Sequence, residues 1–183
     1  AVVTVPDEER AELARLPFDE AARMADLHVN ALTGEKQYRP LERVWARPTL
    51  DVNGIWGGFQ GDGAKTVLPS KAGAKISMRL VPDQEPLAIA ALFEAYIKKI
   101  TPPGVTVTVR DLHGGSPAVT PIDSAGVRAA RRALKEVFGR DPYLTREGGS
   151  IPIVNSFLKI LHAPTVLMGF TMPDQNAHSP NEK

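Results

Sequence analysis

The 183-residue sequence contains no cysteine, which excludes disulfides, thiolate metal ligands and a thiol nucleophile and suits a reducing, cytoplasmic setting. An excess of either charge is also missing. With 22 basic and 21 acidic side chains the formal net charge is +1, and no basic run is interleaved with aromatics, so neither nucleic acid nor a membrane surface has electrostatic support as a partner. No apolar stretch is long enough for a transmembrane helix. The opening AVVTVPDEERAEL lacks the charged and apolar regions of a signal peptide, and lacks an initiator Met, so a processed or trimmed piece is expected. What is present is 43% hydrophobic residues, enough for the core of one ordinary domain or two small ones.

Periodicity and punctuation divide the chain. After Pro6 the run DEERAELARL predicts a short helix with Asp7 and Glu8 at its positive end and Pro17 as its stop. FDEAARMADLHVNAL predicts a second helix, with Phe18, Ala21, Ala22, Ala25, Val29 and Leu32 roughly on one face before Gly34. Strands are expected at Thr49 to Ile55, Lys75 to Leu80 and Val105 to Arg110. Between the last two, EPLAIAALFEAYIKKI reads as an amphipathic helix closed by Thr101, Pro102, Pro103 and Gly104. This order predicts an α+β sandwich, a sheet covered on one face by helices. HGGSPAVTPID resembles a linker. It precedes a helix through SAGVRAARRALKEVF with Gly139 as its stop, then the loop YLTREGGS, a helix in IPIVNSFLKIL, a buried strand in APTVLMGF and the polar end MPDQNAHSPNEK. Ending on an exposed polar loop suggests a domain that has been cut.

Several residues invite a chemical reading, each beside a plainer one. His178 lies among Asp174, Asn176, Ser179, Asn181 and Glu182 on a loop after a strand, where a metal or acid–base role competes with that of a surface imidazole. In TREGGSIP, two glycines and Ser150 at a helix start could receive an anion, or Ser150 could simply cap the helix. His113 in HGGSPAV is reminiscent of esterase oxyanion segments, but GGSIP is not the G-x-S-x-G elbow a serine hydrolase needs. Arg79 on the strand KISMRLVP either faces solvent on the alternate face or forks onto a carboxylate. Arg146 could pair with neighbours of Glu147 or with nothing, and Thr66 means little alone.

Taken in order, GIWGGFQGDGAKTVLPSKAGAKISMRLVPDQ, HGGSPAV, FGRDPYLTREGGSIPI and DQNAHSPNEK resemble the M20 metallopeptidases, especially their carnosinase-like dipeptidases, from about Pro48 to Lys183. The resemblance implies a ferredoxin-like lid and dimerisation domain over residues 1–112 and, over residues 113–183, the return to an α/β catalytic domain. It implies that His178 is a metal ligand, that Arg79, Ser150 and the Gly149 backbone hold a substrate's C-terminal carboxylate, that Thr66 reaches substrate from the partner subunit, and that His113 lines the pocket. It further implies a homodimer cleaving dipeptides or N-acyl amino acids with two zinc ions, manganese being the alternative.

The family's H-x-D ligands, bridging Asp, Glu-Glu pair, remaining acidic ligand and H-S-G lid histidine are not found in this sequence. One histidine cannot hold a catalytic zinc, which takes about three protein ligands. The chain by itself is therefore expected to be inactive, with an exposed apolar surface near Ile151 to Met168 where the catalytic sheet is unfinished. A rival expectation is a stand-alone dimerisation or ligand-binding module, which would need neither REGGS nor AHSPNE.

Overall fold

The computed structural model describes residues 2–146, 151–170 and 175–182. It divides into two compact units, Ala1–Val119 with Tyr143–Asn155 and Thr120–Pro142 with Ser156–Lys183.

The first unit opens with α1 (Asp7–Ala14), started by Pro6 and carrying Asp7, Glu8 and Glu9 in its first turn, where the helix dipole favours carboxylates. Helix α2 (Glu20–Asp26) is capped by Asp19, whose carboxylate accepts the Ala22 N–H at 3.0 Å. It is half the length its sequence predicts. His28 takes a left-handed φ of 55°, and no residue of α2 is buried, so no packing sustains the stripe as far as Leu32. Helix α3 (Pro40–Ala46) was not expected. Pro40 fills its first turn, and Glu42 turns back to accept the Arg39 N–H at 2.8 Å.

Polar contacts bind this stretch together. Arg43 Nε donates to the carbonyls of Glu35 and Tyr38, both at 2.9 Å. Arg47 forks onto Glu35 at 2.6 and 2.9 Å and lies 4.5 Å from the Tyr38 ring centroid. Glu42, only 6% exposed, has its Oε1 2.8 Å from Arg10 Nε. That N–H does not satisfy hydrogen-bond geometry, so the attraction is essentially coulombic. Val5, Leu13, Ala46 and Val81 are the buried apolar residues among those described in this unit.

Next comes an antiparallel hairpin, β1 (Thr49–Gly57) with β2 (Ala72–Arg79), its register shifting between Val52 and Gly54. Trp56 lies opposite Gly73, and a Cβ there would come within 2.1 Å of the indole, so only glycine admits this ring. Helix α4 (Pro86–Ile100) follows, matching its predicted span. The architecture is α+β, an antiparallel sheet with helices. The strand expected at Val105 to Arg110 does not form: that stretch has no ladder partner among the described residues, and a strand without an edge to pair with has unsatisfied backbone groups.

In the second unit, Ser124 caps α5 (Ala125–Phe138) by accepting the Val127 N–H, and Gly139 ends it at a left-handed φ of 70°. Helix α6 (Pro152–Leu161) begins in the first unit and ends in the second. The expected buried strand in APTVLMGF is absent. This segment is held without a ladder: Thr120 Oγ1 donates to the Thr165 carbonyl, Val166 approaches Gly126 where a side chain would collide, and the rings of Phe138 and Phe170 lie 6.4 Å apart.

Little of the apolar surface is covered. The chain leaves 14367 Å² accessible, against about 8,600 Å² for a compact monomer of its mass. Ile151, Ile153, Phe157, Ile160, Leu161, Leu167 and Met168 are all exposed, as the sequence led one to expect. Leu87, Leu92, Tyr96 and Ile100 of α4 and Leu50, Val52 and Ile55 of β1 are exposed too.

Candidate functional site

Arg79 is the last residue of β2, paired in register with Thr49. Strand alternation puts it on the same face as Ser77 and Lys75, while Met78, Ile76 and Ala74 take the other, so the arginine emerges on the polar side at the strand's end. The hairpin connection carries Thr66. The Val67 N–H donates to the Lys65 carbonyl at 3.0 Å, closing a three-residue turn with Thr66 at its centre and its hydroxyl exposed. Next to it, Lys65 sits 5.2 Å from the Phe59 ring centroid and Leu68 is 95% exposed.

His113 is exposed in a segment without regular structure. The two glycines after it have a packing role: a Cβ on Gly114 would stand 2.8 Å from Pro86, and one on Gly115 would stand 3.2 Å from Pro152. HGG therefore runs close to the first residues of both α4 and α6. This close approach accounts for the glycine pair without an oxyanion hole. Gly149 and Ser150 themselves lie outside the described residues.

A contact missed by sequence reasoning lies just upstream. Arg146 reaches a residue far away in sequence: its Nε and Nη2 lie 2.8 and 2.6 Å from Glu9 Oε2 on α1. Arg15, the C-cap residue of α1, lies over the Tyr143 ring at 5.9 Å from its centroid. The 137-residue separation of Arg146 and Glu9 leaves no local signal for the pair.

His178 belongs to the second unit. It is exposed, with a left-handed φ of 65°, and its backbone N–H donates to Glu182 Oε2 at 3.0 Å. Ser179 N–H and Oγ both donate to the Asn176 carbonyl, at 3.0 and 2.6 Å, tightening the loop. Among the described residues no group of three or more His, Asp or Glu side chains is gathered that could hold a metal ion. With Glu182 already engaged by a backbone donor, these residues do not constitute a catalytic metal centre by themselves. Among the described residues, no helix is long and apolar enough to cross a membrane.

The first unit thus presents a hairpin ending in an exposed arginine, a hydroxyl-bearing connection and a following helix rich in apolar residues. Residues 10–105, a little over half the chain, match the peptidase dimerisation domain of the M20 peptidases, and the chain belongs to that family. It is 38% identical to the Cys-Gly metallodipeptidase DUG1 of Saccharomyces cerevisiae over 85% of this chain and 34% of that protein. It is 35% identical to human Beta-Ala-His dipeptidase over 78% of this chain and 29% of that protein. Among solved structures, an M20 family metallo-carboxypeptidase from Sulfolobus solfataricus matches with a TM-score of 0.84 at 27% identity, covering 99% of this chain and 41% of the other. The chain thus spans about a third of the length of the curated relatives it matches.

Proposed function

We propose that this chain is the lid and C-terminal catalytic segment of a homodimeric, metal-dependent dipeptidase, with residues 1–112 as the lid and 113–183 as the catalytic portion. The observation that carries this reading is the extent of the match. The dimerisation domain ends at residue 105, whereas the likeness to a metallodipeptidase covers 85% of the chain and so continues well into the stretch containing HGG, REGGS and AHSPNE.

In this reading the substrate is a dipeptide or an N-acyl amino acid. Its C-terminal carboxylate is taken by the Arg79 guanidinium, a charge-assisted fork, together with the Ser150 hydroxyl and the Gly149 amide at a helix start. Thr66 reaches the substrate from the partner's hairpin, and His113 lines the pocket. The ion is zinc, with manganese as the alternative, and this chain contributes only His178 to it. Isolated, the chain is therefore inactive; the complete enzyme works in the cytoplasm.

The test compares the natural gene product with this chain, each assayed on dipeptides with zinc or manganese added and then chelated. The expected result is chelator-sensitive cleavage by the natural product and none by this chain. Cleavage by this chain alone would overturn the account of its ligands, and no cleavage by either would favour a binding module.

A further inference from the structure

Asn53 is the one asparagine of the sequence that is followed by glycine, and it stands where the hairpin ladder is interrupted. Val52 pairs with Ile76 and Gly54 with Lys75, so Asn53 has no counterpart on β2. It is exposed, and among the described residues the sheet has only these two strands, so β1 opens locally at little cost.

Nothing in the hairpin requires glycine at position 54. Its φ lies outside the left-handed region, and an added Cβ would meet nothing nearer than the Lys75 Cβ at 3.8 Å, an ordinary contact. Two other glycines of the same hairpin differ: a Cβ on Gly73 would collide with Trp56, and Gly57 has a φ of 149°. What Gly54 does supply is an unhindered backbone nitrogen next to an amide side chain.

We propose that Asn53–Gly54 is a site of spontaneous deamidation, through which β1 gains a carboxylate as the protein ages. The deprotonated Gly54 nitrogen attacks Asn53 Cγ. The new N–Cγ bond closes a cyclic imide, the Cγ–Nδ2 bond breaks, and Nδ2 takes up a proton from solvent and leaves as ammonia. Water then adds to one imide carbonyl and breaks its bond to nitrogen, giving aspartate or isoaspartate; water is the only co-reactant. Ring closure requires Asn53 to turn out of the extended conformation, which ladder pairing resists and a bulge permits. Aspartate adds a charge to a strand that already carries Asp51, and isoaspartate also adds a carbon to the strand backbone.

The test ages the natural gene product, folded and in urea, at neutral and mildly alkaline pH. Peptide mapping by mass spectrometry reads the exchange of amide for carboxylate, and a carboxyl methyltransferase specific for isoaspartate labels the second product. In the folded protein, conversion at Asn53 is expected to run about tenfold or more ahead of Asn30 and Asn176, which are also exposed but precede Ala31 and Ala177, whose Cβ hinders the attacking nitrogen. The rate should rise with pH and stay close to the rate in urea. Gly54→Ala, for which the hairpin has room, should slow Asn53 to the level of Asn30 without lowering the melting temperature, and Asn53→Gln should remove the signal. Rapid conversion in urea with none above the level of Asn30 in the folded protein would show that the strand shields Asn53, and would overturn the proposal. So would a rate that Gly54→Ala leaves unchanged.

Discussion

Residues 32–47 and helix α4 satisfy themselves in opposite ways. The first stretch is short on apolar burial and rich in side-chain anchors: Arg43 donates to three carbonyls, those of Leu32, Glu35 and Tyr38, Arg47 grips Glu35, and Glu42 both caps α3 and meets Arg10. Helix α4 has hardly any such anchors and carries apolar residues on two sides. Ile89, Phe93 and Ile97 are half-buried, while Leu92, Tyr96 and Ile100, also spaced four apart, are exposed. A helix apolar on both flanks is one whose outer face is covered in its working state. The contrast separates a stretch that is locally complete from one that leaves apolar residues uncovered, and α4 lies within the matched dimerisation domain.

Charging that outer face should produce the largest effect. Leu92→Asp with Tyr96→Asp removes two large side chains from any interface there, and at about 1.5–3 kcal/mol per buried side chain the dimer constant should weaken on the order of a hundredfold or more. Light scattering of the natural product across a dilution series would show it. A double variant that stays dimeric and only melts earlier would mean that the face is covered by the protomer itself, which would erase the contrast with residues 32–47.

Much of the fold could be read from the sequence where the signals are local. Pro6, the Ser124 cap and the Gly139 stop mark α1 and α5 within a residue or two, and composition found β1 and β2. Helix α3 was overlooked although Pro40 and Glu42 carry its start signals, because seven residues are too few to display an apolar period. The strands expected in VTVTVR and APTVLMGF failed for the opposite reason. β-branched composition states a preference, but a ladder requires a partner edge, and none is formed there among the described residues. The candidate site divides similarly: residue types and motif order pointed to Thr66, Arg79, His113 and His178, whereas the approach of HGG to Pro86 and Pro152 and the hold of Glu9 on Arg146 join distant segments and leave no periodic trace.

Within the anchored stretch the buried carboxylate should matter most. Glu42→Ala removes a helix-capping acceptor and leaves Arg10 beside an apolar gap, with an expected cost of about 2–4 kcal/mol in urea denaturation. Glu42→Gln keeps an acceptor for the Arg39 N–H and should fall between the two. If Gln proves as costly as Ala, the charge on Glu42 matters more than the cap, and the attraction of Arg10 is the main contribution.

The smallest effect separates this buried carboxylate from the exposed one. Hydrogen bonding from Arg47, and then the charges of Arg47 and Arg43, hold the Glu35 carboxyl below its ordinary value of 4.5. A depressed carboxylate pKa stabilises the fold above the unfolded-state value and loses that contribution as pH falls through the folded-state value. Wild type should therefore exceed Glu35→Gln by a small margin at neutral pH, and the margin should shrink as pH falls from about 4.5 towards 3. Urea midpoints of the two proteins at several pH values in low salt would measure it. A margin that stays constant across that range would show that Arg47 holds Glu35 by geometry without drawing on its charge, and the latch would then owe its stability to Tyr38 and the carbonyls around Arg43.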